Sequence, residues 1–154
     1  MKKLGYILFP LCTLGVGALA GYLSEPGLTQ VYPLLEKSPL TPTGYVFPLV
    51  WAVLYLLMGL GLARVVQRGG PGSGLAAFFW VLQLALNFSW SLLFFGDGDY
   101  FTALLCLGLL WVFILMMILA FHSVSRLAAW MQVPYFLWVS FAGYLNLVIW
   151  QLNP

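Results

Sequence analysis

The chain has 154 residues, 63% of them hydrophobic, 18% aromatic and only 6% charged. Soluble domains carry about 25% charged residues, so six basic and four acidic side chains cannot cover a soluble fold of this size. A net charge of +2 built from so few cations excludes a nucleic-acid footprint, and the pattern reads as one all-α membrane bundle.

In chain order, the first apolar stretch is Leu4–Ser24, long enough for a bilayer core of about 30 Å, which takes roughly 20 residues. Lys2-Lys3, the apolar run and Ala18-Leu19-Ala20 also resemble a cleavable leader. The run continues through Gly21-Tyr22-Leu23, however, and Gly17-xxx-Gly21 suits helix packing, which favours a retained span. Residues 25–43 follow, a stretch with Pro26, Pro33, Pro39 and Pro42. That is longer than a helical connection needs, and it predicts a lid. Further spans are predicted at Gly44–Val66, Leu75–Phe95, Phe101–His122 and Leu127–Leu152. The breaks between them are Gly69-Gly70-Pro71-Gly72-Ser73, Gly96-Asp97-Gly98-Asp99 and Ser123-Val124-Ser125-Arg126.

Five spans put the N-terminus, the second loop and the fourth loop on one face, with Lys2, Lys3, Arg64, Arg68 and Arg126. Lys37 is alone among acidic residues on the other face, so the positive-inside rule predicts N-in, C-out. The spans are nearly free of ionisable residues, which argues against ion-coupled transport. No inverted repeat or pair of broken helices points to a transporter.

No Ser-His-Asp set, P-loop, dinucleotide fingerprint or metal cluster can be assembled from this sequence. Cys12 and Cys106 sit in apolar stretches and offer neither a disulfide framework nor a CxxC site. His122, the one histidine, lies at the predicted cytoplasmic end of the fourth span, so no metal site and no permanently bound cofactor are expected. What remains is aromatic and amide-rich. Tyr100, Trp130 and Trp150 read as interfacial anchors, whereas Trp51, Trp90, Trp111 and Trp138 lie deeper, where an indole N–H wants a partner.

Gln83, Asn87 and Ser91 form one polar stripe at i, i+4 spacing. The stripe alone fits interhelical hydrogen bonding as well as a ligand wall. Depth tips the balance. At about 1.5 Å per residue, Trp51, Asn87 and Ala142 lie roughly 10–12 Å in from the lid side. Tyr55, Gln83 and Trp138 lie one turn deeper, at roughly 16–18 Å. Two matching layers beneath a lid describe an apolar pocket with a few polar groups, the usual form of a ligand site.

The same residues carry a resemblance along nearly the whole chain. Its motifs are Tyr32-Pro33-xx-Glu36-Lys37-Ser38-Pro39, then Pro42-xx-Tyr45-xx-Pro48-xx-Trp51-xxx-Tyr55-xx-Met58-Gly59. Gln83-Leu-xx-Asn87-xx-Trp90-xxx-Phe94-Phe95 follows, and Pro134-Tyr135-xx-Trp138-xx-Phe141-Ala142-xx-Leu145-Asn146-xx-Ile149-Trp150 closes the set. In this the sequence resembles the translocator protein / tryptophan-rich sensory protein family, also known as peripheral-type benzodiazepine receptors. The resemblance implies a homodimeric five-helix protein of a bacterial cell membrane that binds protoporphyrin IX and isoquinoline-carboxamide ligands. It further implies light-dependent porphyrin breakdown in some members. Carried over by position, the pocket would use Trp51, Asn87, Trp138 and Ala142, with Tyr32 and Pro42 from the lid. Tyr55, Gln83 and Trp90 complete the expected wall, and Trp51 and Trp138 are the residues expected to act on a porphyrin. Sterol binding is not expected, since Val139 and Tyr144 are present but no Lys or Arg follows them. Small-residue patches at Gly17-xxx-Gly21, Gly72-xxx-Ala76 and Ser73-xxx-Ala77 suit packing within one bundle or between two copies.

Overall fold

A computed structural model describes residues 2–154. Their regular structure is helical throughout: α1 (Gly5–Gln30), α2 (Val46–Arg68), α3 (Ser73–Ser91), α4 (Tyr100–Val124), a short α5 (Arg126–Trp130) and α6 (Val133–Leu152). Five helical segments are long and apolar enough to cross a membrane, the last being α5 and α6 together. The protein is a multi-pass integral membrane protein. Its outward faces carry Leu11, Val53, Val81, Leu105 and Leu137, each about half exposed or more, as a lipid-facing surface requires.

The core lies between α2, α3, α4 and α6, where Met58, Leu107, Leu110, Ile114, Met117 and Tyr135 are almost fully buried. α1 crosses α2 where Gly59 has no side chain, and a Cβ there would run into the backbone of Phe9 and Pro10. The Thr13 hydroxyl donates to the Tyr55 carbonyl at 2.6 Å across the same crossing. Gly17 lies against the Tyr55 ring, and Ala76 is completely buried. At these two positions the small residues serve packing inside one bundle.

The first helix does not stop at Ser24. α1 runs on through Pro26 to Gln30, and a 3-10 turn follows at Tyr32–Leu34. The dipeptide Pro26-Gly27 reads as a turn, but membrane helices tolerate an interior proline when neighbours satisfy the freed backbone. Gly27 then docks directly on the Phe95 carbonyl, an approach no larger residue could make. The lid is therefore shorter than expected, with its non-helical part at residues 35–45.

Two further departures shape the site. α3 ends in a π-helical turn, Leu92–Gly96, in which the Asp97 amide donates to the Leu92 carbonyl at 2.8 Å. The predicted fifth span is broken at Met131–Gln132, where Pro134 lacks an amide and its ring opposes continuation of α5. α4 begins on an Asp99 cap that accepts from the Thr102 amide at 3.1 Å. Hydrogen bonding from the Thr102 side chain and backbone holds the Asp99 carboxyl below its usual range.

Candidate functional site

α1 and α2 touch closely in their lower half and diverge above Gly17. The divergence leaves a cavity of about 600 Å³ between α1, α2, α3 and α6, with Tyr32 and Pro33 at its lid end. That volume falls within the range of small-molecule sites, roughly 300–1,000 Å³. The lining positions Ala18 and Gly21 on α1, and Pro48 and Ala52 on α2, are themselves exposed. The open side of the cavity is therefore the seam between these two helices.

Aromatic rings make most of the wall. Trp51 lies 5.7 Å from Tyr55, 6.1 Å from Trp90 and 6.3 Å from Tyr135, centroid to centroid. Trp138 meets Phe47 at 5.8 Å on the other flank. Its indole also borders a shallower outer groove between α2 and α6 made of Leu49, Val53, Leu137 and similar apolar residues. The groove lacks the convergent polar groups of the enclosed cavity, which is the candidate site for that reason. The Trp138 Nε1 is buried and has no hydrogen-bond partner. A buried donor left unpaired is costly, so a turn of the indole that brings this N–H to an acceptor on a ligand would be favoured.

The π-turn contributes Phe94 and Phe95, adjacent residues that both line the cavity. Successive positions on a regular helix diverge by about 100°, yet at this π-turn both rings meet the cavity. Their centroids are 4.7 Å apart, and Tyr32 closes over them at 6.2 Å and 5.4 Å.

Beneath the rings runs a polar chain. The Tyr55 hydroxyl donates to Asn87 Oδ1 at 2.8 Å, and Asn87 Nδ2 donates to the Tyr135 hydroxyl at 2.8 Å. Tyr135 in turn donates to Gln83 Oε1 at 2.6 Å, while Gln83 Nε2 donates to the Trp80 carbonyl at 2.9 Å. Both amides of the stripe are thus engaged by the protein. Asn87 still borders the cavity, whereas Gln83 lies below its floor and is fully buried. Higher up, Trp90 Nε1 donates to Asn146 Oδ1 at 3.1 Å and Asn146 Nδ2 to the Tyr100 carbonyl at 2.9 Å.

Of the residues expected from sequence, Tyr32, Trp51, Tyr55, Asn87, Trp90, Trp138 and Ala142 all line the cavity. Gln83 and Pro42 do not. Pro42 is half-buried in the strand of lid leading to α2. The depth count also slips by one turn on α6, where Tyr135, not Trp138, shares the level of Tyr55 and Gln83. The count began at Trp150, but α6 rises to the lid itself, where Asn153 meets Glu36. Phe47, Phe94, Phe95 and Asn146 line the cavity without having been expected there, and Tyr135, which supports it from beneath through Asn87, was not expected either. Tyrosine in a membrane chain reads first as an interfacial anchor, although Tyr135 stands at helical spacing from Trp138 and Ala142.

The lid is tied down at several points. Ser38 and Tyr144 share a hydrogen bond of 2.9 Å. The Glu36 amide donates to Asn153 Oδ1 at 3.0 Å, and Asn153 Nδ2 returns a bond to the Glu36 carbonyl at 2.9 Å. Lys37 Nζ donates to the Tyr32 and Leu35 carbonyls and lies 4.8 Å from the Tyr32 ring centroid.

Residues 8–151 match the TspO/MBR family. The chain belongs to it. It is 39% identical to the tryptophan-rich protein TspO of Chlorobaculum tepidum, over 94% of this chain and 92% of that one. It is 37% identical to the protein CrtK of Rhodobacter capsulatus, covering 87% and 84%. Identity to the translocator protein of Bos taurus is 35%, covering 99% and 90%. These TspO/MBR relatives come from bacteria and a mammal. Three side chains able to ligate a metal stand apart from the cavity, His122 in the last turn of α4, Met58 in the core and Cys106 against the Leu86 carbonyl at 3.5 Å, whereas the Tyr32 phenol borders it.

Proposed function

We propose that the cavity binds a flat, mostly apolar tetrapyrrole such as protoporphyrin IX and promotes its light- and oxygen-dependent breakdown. Isoquinoline-carboxamide and benzodiazepine-type ligands would occupy the same space. The observation that carries the reading is the cavity wall itself. Two indoles, Trp51 and Trp138, flank it from α2 and α6, and the Trp138 N–H lacks a partner. Indole is both a stacking surface for a macrocycle and a side chain able to exchange an electron with a photo-excited one, molecular oxygen being the oxidant consumed. Metal-free porphyrin is expected to bind at least as well as haem, because His122 is remote from the cavity.

The positive-inside rule supports an N-in, C-out orientation, which places the cavity in the outer half of the membrane. A homodimer fits the family reading, and mass measurement in mild detergent tests it.

Porphyrin loss is followed with and without protein, in light and in the dark. Light-dependent loss that requires the protein is expected. The W51F/W138F double variant should keep most binding yet slow conversion at least tenfold, and Ala142→Phe should block binding by filling the gap between α6 and α2. Tight binding with equal porphyrin loss in both conditions would instead leave a sensor without chemistry. Counterflow of ligand in sealed vesicles would favour a transporter.

A further inference from the structure

The end of the bundle away from the cavity holds an unbalanced set of cations. All four carboxylates, Glu25, Glu36, Asp97 and Asp99, belong to the lid end: the last turns of α1, the lid and the α3–α4 turn. α2 spans about 35 Å at 1.5 Å per residue, so none of them reaches its far end, where Arg64 and Arg68 sit.

Arg64 is not simply a solvated surface charge. Leu57, Gly61, Arg64 and Arg68 fall on one stripe of α2 by their i, i+4, i+7 and i+11 spacing. That stripe faces the α5–α6 junction: Gln132 Nε2 donates to the Leu57 carbonyl at 2.9 Å, and a Cβ on Gly61 would strike the Gln132 amide. Arg64 is half-buried there, and its Nε is buried with no hydrogen-bond partner. The neighbouring α5 packs on α2 and brings a third guanidinium, the exposed Arg126. Beside it stand Leu127 and Trp130, 57% and 68% exposed.

We infer that the surface where α5 packs on the end of α2 binds an anionic phospholipid, with Arg64, Arg68 and Arg126 holding the headgroup phosphate and Trp130 flanking an acyl chain. Three features favour that occupant. Guanidinium forks match phosphate oxygens in pairs, which ammonium groups do not. The counter-charge must come from outside the chain, and in a bilayer the anionic headgroup is the charge at the right depth. An indole beside a basic cluster supplies the boundary between headgroup and hydrocarbon that a lipid, unlike a free anion, would use.

The test is native mass spectrometry of the full chain in neutral detergent with equimolar phosphatidylglycerol and phosphatidylcholine of matched chains. Retention of phosphatidylglycerol over phosphatidylcholine is expected, and R64Q and R126Q should each weaken it about fivefold, at ~1 kcal/mol per basic residue near the surface. R64K retains the charge and should preserve part of the preference, so a poorly folding R64Q does not remove the test. Equal retention of the two lipids overturns the inference, as does a preference that survives the R64Q/R126Q double variant. Displacement of the lipid by millimolar inorganic phosphate overturns it too, since that outcome describes an anion site and not a lipid site.

Discussion

At the scale of single residues, the phenol of Tyr135 joins two amides that sequence alone presents as a bare stripe. Asn87 donates to it and Gln83 accepts from it. Tyr135→Phe keeps the ring and its packing but leaves one buried donor and one buried acceptor unpaired, each at a cost of about 1–3 kcal/mol. The melting temperature in detergent should fall by several degrees, with ligand-site volume unchanged. An unaltered melting temperature would mean that water replaces the hydroxyl without penalty. The stripe itself was legible because i, i+4 amides in a run of apolar residues have few explanations. Its partner was not, because nothing local marks which tyrosine turns inward.

Glycines show the same contrast. Gly59 and Gly15 look alike in sequence, yet a Cβ on Gly59 meets the backbone of α1, while one on Gly15 meets nothing. Gly59→Ala should destabilise the protein by about 1–3 kcal/mol through forced separation of the helices. Gly15→Ala should be neutral or slightly stabilising. Thermal unfolding of both variants checks the pair, and a harmless Gly59→Ala would mean that the crossing can open to admit a methyl group.

At the scale of elements, the spans were readable from runs of apolar residues, while their ends were governed by contacts that sequence does not display. α1 continues past Pro26, and Gly27 there comes so close to the Phe95 carbonyl that no side chain would fit. The π-turn at Leu92–Gly96 has no sequence signature of its own, although Phe94-Phe95 before Gly96 is the kind of pair it serves. The lid is where these ends converge. Asn153→Ala removes both bonds to Glu36, and Tyr144→Phe removes the one to Ser38. Each variant should speed release of a bound ligand about two- to tenfold, as expected for losing modest hydrogen bonds, with little change in the spectrum of the bound form. Stopped-flow displacement measures this directly: the lid leads into Pro48, one side of the seam between α1 and α2, and unchanged release rates would mean that the seam opens without help from the lid.

At the scale of the whole molecule, composition and charge placement were enough to give a five-span bundle with one basic end. Which helices splay was not legible, since the gap comes from where Gly59 and Thr13 draw α1 and α2 together. Below that crossing the two helices form a wall; above it they leave a doorway.

The doorway faces hydrocarbon, because its jambs are the exposed positions Ala18, Gly21, Pro48 and Ala52. A hydrophobic guest then reaches the cavity from the lipid phase, having partitioned there first. Its affinity is a mole fraction in the bilayer, and a concentration in buffer describes it poorly. At fixed protein and fixed total ligand, doubling the lipid in a proteoliposome suspension should roughly double the apparent dissociation constant for a strongly partitioning ligand. A weakly partitioning one should be indifferent. Two laboratories using different lipid-to-protein ratios would thus report different constants for the same protein, and both would be right.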